Sequence, residues 1–157
     1  MEIIIREALI TDCPTMFTLV NELALYEKLP QEVTLTLTEF TADGFGQTPV
    51  WQAFVAEFNG AVVGFALFYV RYSTWKGRSL YLEDFIVTET MRGQGIGKLL
   101  FERTIKEARE KGFSTMVWQV LDWNQPALNF YAKYNSGIEG GWLNGSLSKK
   151  QLNQFDF

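Results

Sequence analysis

Asn59-Gly60 is the strongest short hairpin signal in the chain, and it restricts the fold more than any other dipeptide. It stands between segment 52–58, which alternates in polarity, and segment 61–72, which is apolar and β-rich. Asn and Gly tolerate positive φ at both centres of a two-residue turn, so the flanking segments pair as neighbouring antiparallel strands. Thr74-Trp75-Lys76-Gly77 then turns the chain into a third β-rich segment, 79–87. An antiparallel meander at the centre is incompatible with a sheet built wholly of parallel βαβ units.

Helices and further strands surround this meander. Ile3-Ile4-Ile5 opens as a short strand, and Asp12 with Pro14 in the first turn starts a helix running to about Tyr26, with Met16, Leu19, Val20 and Leu23 on one face. A second short helix enters at Thr36 and ends near Gly44-Phe45-Gly46. After the meander, an amphipathic helix runs to about Lys111 with Leu99, Leu100, Ile105 and Ala108 as its apolar face and Phe101 flanking it. Segment 115–121 reads as a fifth strand, Asn124-Gln125-Pro126 starts a short helix through Tyr134, and 142–147 reads as a last strand. The sum is one mixed α/β (α+β) domain spanning 1–157.

Composition narrows the chemistry. The 157 residues contain no histidine and one cysteine, Cys13, which removes His-based triads, His-ligated zinc, Cys-cluster metal sites and internal disulfides. Catalysis must therefore run on carboxylates, phenols, amides or backbone. The net charge of −4 disfavours a nucleic acid partner and suits a cationic substrate. No apolar run approaches the roughly 20 residues of a spanning helix and no secretory leader is evident, so no membrane partner and a cytoplasmic location are expected.

Three glycines fall within Arg92-Gly93-Gln94-Gly95-Ile96-Gly97, between the third meander strand and the amphipathic helix. Glycines there let backbone N–H groups converge on an anion at a helix N-terminus. Gly97-Lys98-Leu99 lacks the hydroxyl of a P-loop, and the glycine spacing is not the dinucleotide-binding one. The string instead fits Arg/Gln-x-x-Gly-x-Gly/Ala, and with Asn124 and Asn129-Phe130-Tyr131 further on it resembles the GNAT superfamily of N-acetyltransferases. Tyr81-Leu82-Glu83-Asp84-Phe85-Ile86-Val87, Trp123-Asn124-Gln125-Pro126, Tyr26-Glu27, Asp43-Gly44-Phe45-Gly46 and Trp75-Lys76-Gly77 are similar to the diamine (spermidine/spermine, thialysine) N-acetyltransferase family.

That resemblance implies a central mixed, mostly antiparallel sheet flanked by helices, with two splayed strands holding acetyl-CoA, and a homodimer, for which the aromatic-rich stretch Trp142 to Phe157 is the expected interface. It implies a pyrophosphate loop of Arg92, Gly93, Gln94, Gly95, Ile96, Gly97 and Lys98, with the backbone of Phe85, Ile86 and Val87 along the pantetheine arm. Asn124, Pro126, Ala127 and Tyr131 complete the implied cofactor contacts. The acceptor side would comprise Tyr26, Glu27, Glu83, Trp118 and Gln119. Four of them have a plainer alternative: Asn124 is also a helix cap, Glu27 a helix-end charge, Glu83 a solvated strand residue, and Tyr131 a core aromatic at i, i+3, i+4, i+7 spacing with Ala127, Phe130 and Tyr134.

Acetylating a primary amine requires removing a proton from an ammonium of pKa about 10.4, and protonating a departing thiolate of pKa about 8.5. The resemblance assigns the first task to Glu83 and the second to Tyr131. Strand alternation expects Glu83 and Asp84 on opposite faces, with Asp84 structural. The family's acidic pair before a C-terminal Gly-Trp reads Glu139-Gly140-Gly141-Trp142 here, with one carboxylate missing. A shorter diamine or a thialysine-like amino acid therefore fits better than a long polyamine. Direct transfer through a ternary complex is implied, with an acceptor on a peptide, or acetyl-CoA sensing without turnover, as the alternatives.

Overall fold

The computed structural model describes residues 2–156. The chain divides into two compact units, Met1–Leu121 and Asp122–Phe157. The first holds a five-stranded sheet in the order β1-β2-β3-β4-β5, with β1 (Ile3–Glu7), β2 (Gln52–Phe58), β3 (Ala61–Ser73), β4 (Gly77–Val87) and β5 (Thr115–Trp118). The first three pairings are antiparallel and β4–β5 is parallel. Asn59 and Gly60 have φ of 51° and 79°, as a type I′ turn requires.

Helices α1 (Cys13–Tyr26) and α2 (Leu37–Phe45) cover one face of the sheet. Met16, Leu19 and Phe40 join Val55, Phe65, Leu67 and Ile86 in a continuous buried cluster there. Phe40 stacks on Trp51 with centroids 4.8 Å apart. Helix α3 (Ile96–Glu110) covers the other face, where Phe101 meets Phe85 at 5.7 Å and the Arg103 guanidinium sits 3.9 Å above Phe54. Truncating a fully buried aromatic such as Phe65 would cost about 3–5 kcal/mol.

Several expectations need correction. The buried stripe of α3 is Ile96, Leu100, Phe101, Thr104, Glu107 and Ala108, whereas Leu99 and Ile105 are exposed. Two polar residues occupy that stripe because each is satisfied locally. Thr104 Oγ1 donates to Leu100 O at 2.9 Å, and Glu107 accepts from Arg103 (2.9 Å) and pairs with Lys111 (2.7 Å). Asp12 does not cap α1 with its side chain. Its carboxylate instead takes a bidentate contact from Arg6 (2.7 and 3.0 Å) and the Leu9 N–H (2.7 Å).

The second unit carries α4 (Gln125–Ala132) and α5 (Lys149–Leu152). Helix α4 ends before Tyr134, and α5, capped by Ser148 accepting from the Gln151 N–H, was not evident in the sequence. Segment 142–147 is not a strand. Gly140, Gly141 and Gly145 punctuate this region, Gly141 with φ of 101°, and Trp142 and Leu143 are 84% and 97% exposed. Phe157, the last residue of the stretch proposed from sequence as a dimer interface, lies outside the described residues.

Candidate active site

The pairing of β3 with β4 slips in the middle. Leu67 faces Asp84 and Phe68 faces Leu82, which leaves Glu83 as an extra residue on β4. A bulge of this kind suspends the alternation of side chains and re-aims one of them. Glu83 lands beside Tyr69, whose hydroxyl donates to Glu83 Oε2 at 3.2 Å. Tyr69 in turn packs on Tyr81, its cross-strand partner, with centroids 5.2 Å apart. Asp84, opposite Leu67, faces α1. The expectation of opposite faces is thus overturned, because the bulge brings both carboxylates to the α1 side.

Glu27 joins them from the end of α1. Burial, and then the nearby Glu83 and Glu27 carboxylates, push Asp84 up to about 7, well above the ordinary carboxylate range. Burial also raises Glu27. Tyr69 is pushed up to about 12 by burial and then by the Glu83 charge, so its hydroxyl stays protonated and able to donate. A half-buried group of carboxylates whose mutual repulsion is relieved by a positive charge is an electrostatic seat for an ammonium. Asp84, taken as structural from sequence, and Tyr69, which carried no sequence signal beyond a β-rich segment, both belong to this group.

Arg92 also reaches α1. Its Nε donates to Val87 O at 2.9 Å, its guanidinium lies 5.1 Å from the Tyr26 ring centroid, and it pairs with Glu22 at 3.6 Å. Past Arg92, Gly93 and Gly95 have φ of 76° and 81°, conformations that L side chains adopt at a cost. The first helical bond of α3 runs from Leu99 N to Gly95 O at 3.2 Å, so the Ile96, Gly97 and Lys98 amides precede the helical bonding pattern. Lys98 Nζ lies 3.9 Å from Glu102. A Cβ on Gly97 would sit 3.5 Å from the Phe85 ring, so this helix start lies close against β4.

Strand β5 accompanies β4 only from Ser79 to Leu82. Residues Glu83–Val87 of β4 run on past the end of that neighbour. Trp118, the last residue of β5, packs edge-on against Phe101 at 5.4 Å, on the α3 side of the sheet. Gln119 follows it, exposed. Trp118 therefore stands on the opposite side from Glu27 and Asp84. A recess of about 190 Å³ lined by Glu7, Trp51, Gln52, Phe54, Glu107 and Lys111, among others, contains none of these candidate residues.

In the second unit, Asn124 Oδ1 accepts from the Ala127 N–H at 3.3 Å, so the capping role holds. Pro126 occupies the first turn of α4, where its missing N–H costs nothing. Tyr131 is buried, meets Phe130 edge-on at 5.5 Å, and its carbonyl accepts from Ser136 Oγ at 2.9 Å. Cys13 is buried and its thiol is pushed up by that burial, which suits packing and not nucleophilic attack. No group of three or more potential metal ligands occurs among the described residues.

Left-handed glycines precede the start of α3, and β4 runs on past the end of its parallel neighbour β5. The acetyltransferase (GNAT) family model matches residues 14–135, more than half of the sequence, and the chain belongs to that family. It is an acetyl-CoA-dependent N-acetyltransferase. The chain is 44% identical over 137 residues to a thialysine N-epsilon-acetyltransferase of Bos taurus, covering 82% of this chain and 81% of that one. It is 36% identical over 158 residues to a human spermidine/spermine N(1)-acetyltransferase-like protein 1, covering 94% of this chain and 23% of the longer protein. An aminoglycoside acetyltransferase from a soil metagenome, solved with trehalose, superposes with a TM-score of 0.74 at 21% identity over 93% of this chain and 95% of that one.

Proposed function

We propose that the chain acetylates a primary amine of a short cationic metabolite, a thialysine-like amino acid or a small diamine, by direct transfer within a ternary complex. The observation that carries this reading is the gathering of Glu27, Glu83 and Asp84 at the β4 bulge, where burial and then the two neighbouring carboxylates raise Asp84 and burial raises Glu27. The names of the thialysine-acetylating relatives support the amino-acid end of the range. The single carboxylate of Glu139-Gly140-Gly141-Trp142 favours a short acceptor over spermine.

In this reading the residues 1–157 act as one catalytic domain. When bound, acetyl-CoA supplies the activated acetyl group. The loop Arg92–Lys98 and the backbone of Phe85, Ile86 and Val87 hold it, with Asn124, Pro126 and Ala127 completing the hold. Glu83 accepts a proton from the acceptor nitrogen at Oε1 or Oε2, with its carboxylate kept in place by the Tyr69 hydroxyl. Glu27, Tyr26 and Gln119 contact the rest of the amine, whereas Trp118, packed on Phe101 on the α3 side, lies away from Glu27 and Asp84. Tyr131 holds the proton that returns to the donor's sulfur. Glu83, exposed at the strand surface, exchanges its proton with solvent between turnovers.

Exposed Trp142 and Leu143 support a homodimer, which light scattering checks as twice the 18.0 kDa chain mass. A thiol-release assay with acetyl-CoA and a panel of thialysine, lysine, putrescine, spermidine, spermine and a lysine peptide tests the function. Turnover strongest with thialysine or putrescine supports the reading. Turnover confined to the peptide overturns the acceptor class, and acetyl-CoA binding without turnover on any amine overturns catalysis.

A further inference from the structure

Glu22 has no place in the chemistry described above, yet it gathers contacts from a segment 67 residues away in sequence. It lies on α1, one turn before Tyr26 and Glu27. Its Oε1 accepts from the Glu89 N–H at 2.9 Å and its Oε2 from Thr88 Oγ1 at 3.1 Å. The Arg92 guanidinium approaches Oε1 at 3.6 Å while its face lies over Tyr26. Thr88 through Arg92 is the connection between β4 and the glycine loop, wound as a short 3-10 turn at Glu89–Met91. A backbone N–H at the start of such a turn has no acceptor within the turn itself, and Glu22 supplies one from another helix.

We propose that Glu22 is a positioning residue that couples the amine site to the acetyl-CoA site, so that filling one strengthens binding at the other. The inference rests on the function proposed above. Two independent anchors make the coupling physical. Thr88 N donates to Val63 O at 2.8 Å, which ties the connection to β3, and Arg92 Nε donates to Val87 O, which ties it to β4. The loop is thus fixed to the sheet on one side and, through Glu22, to α1 on the other. Arg92 bridges the two, because the residue that opens the glycine loop also covers Tyr26, the neighbour of Glu27. Ordering Arg92 by a bound pyrophosphate group orders the Tyr26 ring, and an amine seated at Tyr26 and Glu27 orders Arg92 in return. Linkage makes the two effects equal in magnitude.

Glu22→Gln keeps the shape and one carbonyl acceptor but removes the charge facing Arg92. Thr88→Val removes a single hydroxyl and serves as a second, milder variant. The experiment titrates CoA into the full chain by calorimetry with and without saturating thialysine, and pairs this with steady-state kinetics. Wild type is expected to bind CoA about tenfold more tightly with thialysine present, and Glu22→Gln to lose most of that enhancement. Its KM values for both substrates should rise by about tenfold while kcat stays within about twofold. Thr88→Val should show the same pattern at smaller amplitude.

A merely structural role for Glu22 would lower the melting temperature and the active fraction while leaving the enhancement intact, and that result overturns the inference. So does an enhancement of the same size in both variants, or its absence in a wild type that turns over thialysine. A wild type that turns over none of the amines fails earlier, at the proposed function, and is recognised as such by the thiol-release assay.

Discussion

Replacing Asp84 with Asn should make the protein more stable at pH 8 and leave it nearly unchanged at pH 3.5. Asp84 is pushed from an ordinary 3.8 up to about 7 by burial and by the Glu83 and Glu27 charges. In the folded chain its proton is therefore held about a thousandfold more tightly than in the unfolded one, a ceiling of about 4 kcal/mol. The sign follows from which state loses its proton first. Below about pH 4 the carboxyl is neutral in both states and the fold bears no penalty. Between about 4 and 7 the unfolded chain ionises while the folded chain does not, so stability falls as pH rises, and above about 7 the penalty is constant.

Water reaches one side of this half-buried group, which reduces the ceiling to about 2 kcal/mol at pH 8 and under about 1 kcal/mol at pH 5. With a urea slope of about 2 kcal/mol/M, Asp84→Asn should raise the midpoint by about 1 M at pH 8. Urea titrations of both proteins at pH 3.5, 5 and 8 measure it. A variant destabilised equally at all three values would mean that Asp84 is ionised and paired, and the account of the carboxylate group would fall. The same group gives a binding signature. An ammonium seated there expels the Asp84 proton, so the apparent enthalpy of thialysine binding at pH 7 should vary with the ionisation enthalpy of the buffer in wild type and far less in the Asn variant.

Removing the Tyr69 hydroxyl with Tyr69→Phe should lower kcat about tenfold with little change in melting temperature, because one hydrogen bond to Glu83 is lost while the ring packing on Tyr81 stays; unchanged kcat would remove Tyr69 from the site. Gly95→Ala should cost about 1 kcal/mol through its positive φ and raise the acetyl-CoA KM, whereas Gly97→Ala meets only ordinary contact with Phe85 and should keep its stability. Stability curves separate the two, and a Gly95 variant as stable as wild type would refute the strain. Tyr131→Phe should lower kcat at least tenfold while acetyl-CoA affinity holds, and equal losses in both would make Tyr131 a packing residue. Asp12, held below the usual carboxylate range by Arg6, contributes stability above about pH 4 that is lost as pH falls through its folded pKa. Asp12→Asn should therefore destabilise the fold at pH 7 and progressively less in acid, as chemical denaturation across pH would read.

The sheet was legible wherever local chemistry dictates geometry. Asn59-Gly60 fixed the hairpin, and the strand 52–58 and the helix end at Tyr26 fell where turn and periodicity signals put them. Legibility ended where a tertiary partner overrides a local rule. Asp12 carries the chemistry of a helix cap, but Arg6, six residues earlier on β1, claims its carboxylate. Thr104 and Glu107 are polar and stand outside the apolar face expected for α3, yet backbone and ion-pair partners let them lie in the buried stripe. Segment 142–147 has strand-like side chains but forms no strand.

The site followed the same division. The glycine loop was readable because positive φ selects glycine at Gly93 and Gly95 whatever surrounds them. Glu83 was found through a resemblance, but the reason that it works with Asp84 and not away from it was invisible, since alternation is the rule that a bulge breaks. One extra residue on β4 has three consequences at once. It turns Glu83 toward Tyr69, leaves Asp84 under α1 with Glu27, and falls immediately past the point where β5 stops accompanying β4. The residue proposed to take the amine's proton and the edge proposed to lie along the acyl donor thus originate in the same local irregularity. Inserting one residue between Leu67 and Phe68, which would give Glu83 a cross-strand partner, should therefore disturb amine affinity and acetyl-CoA affinity together.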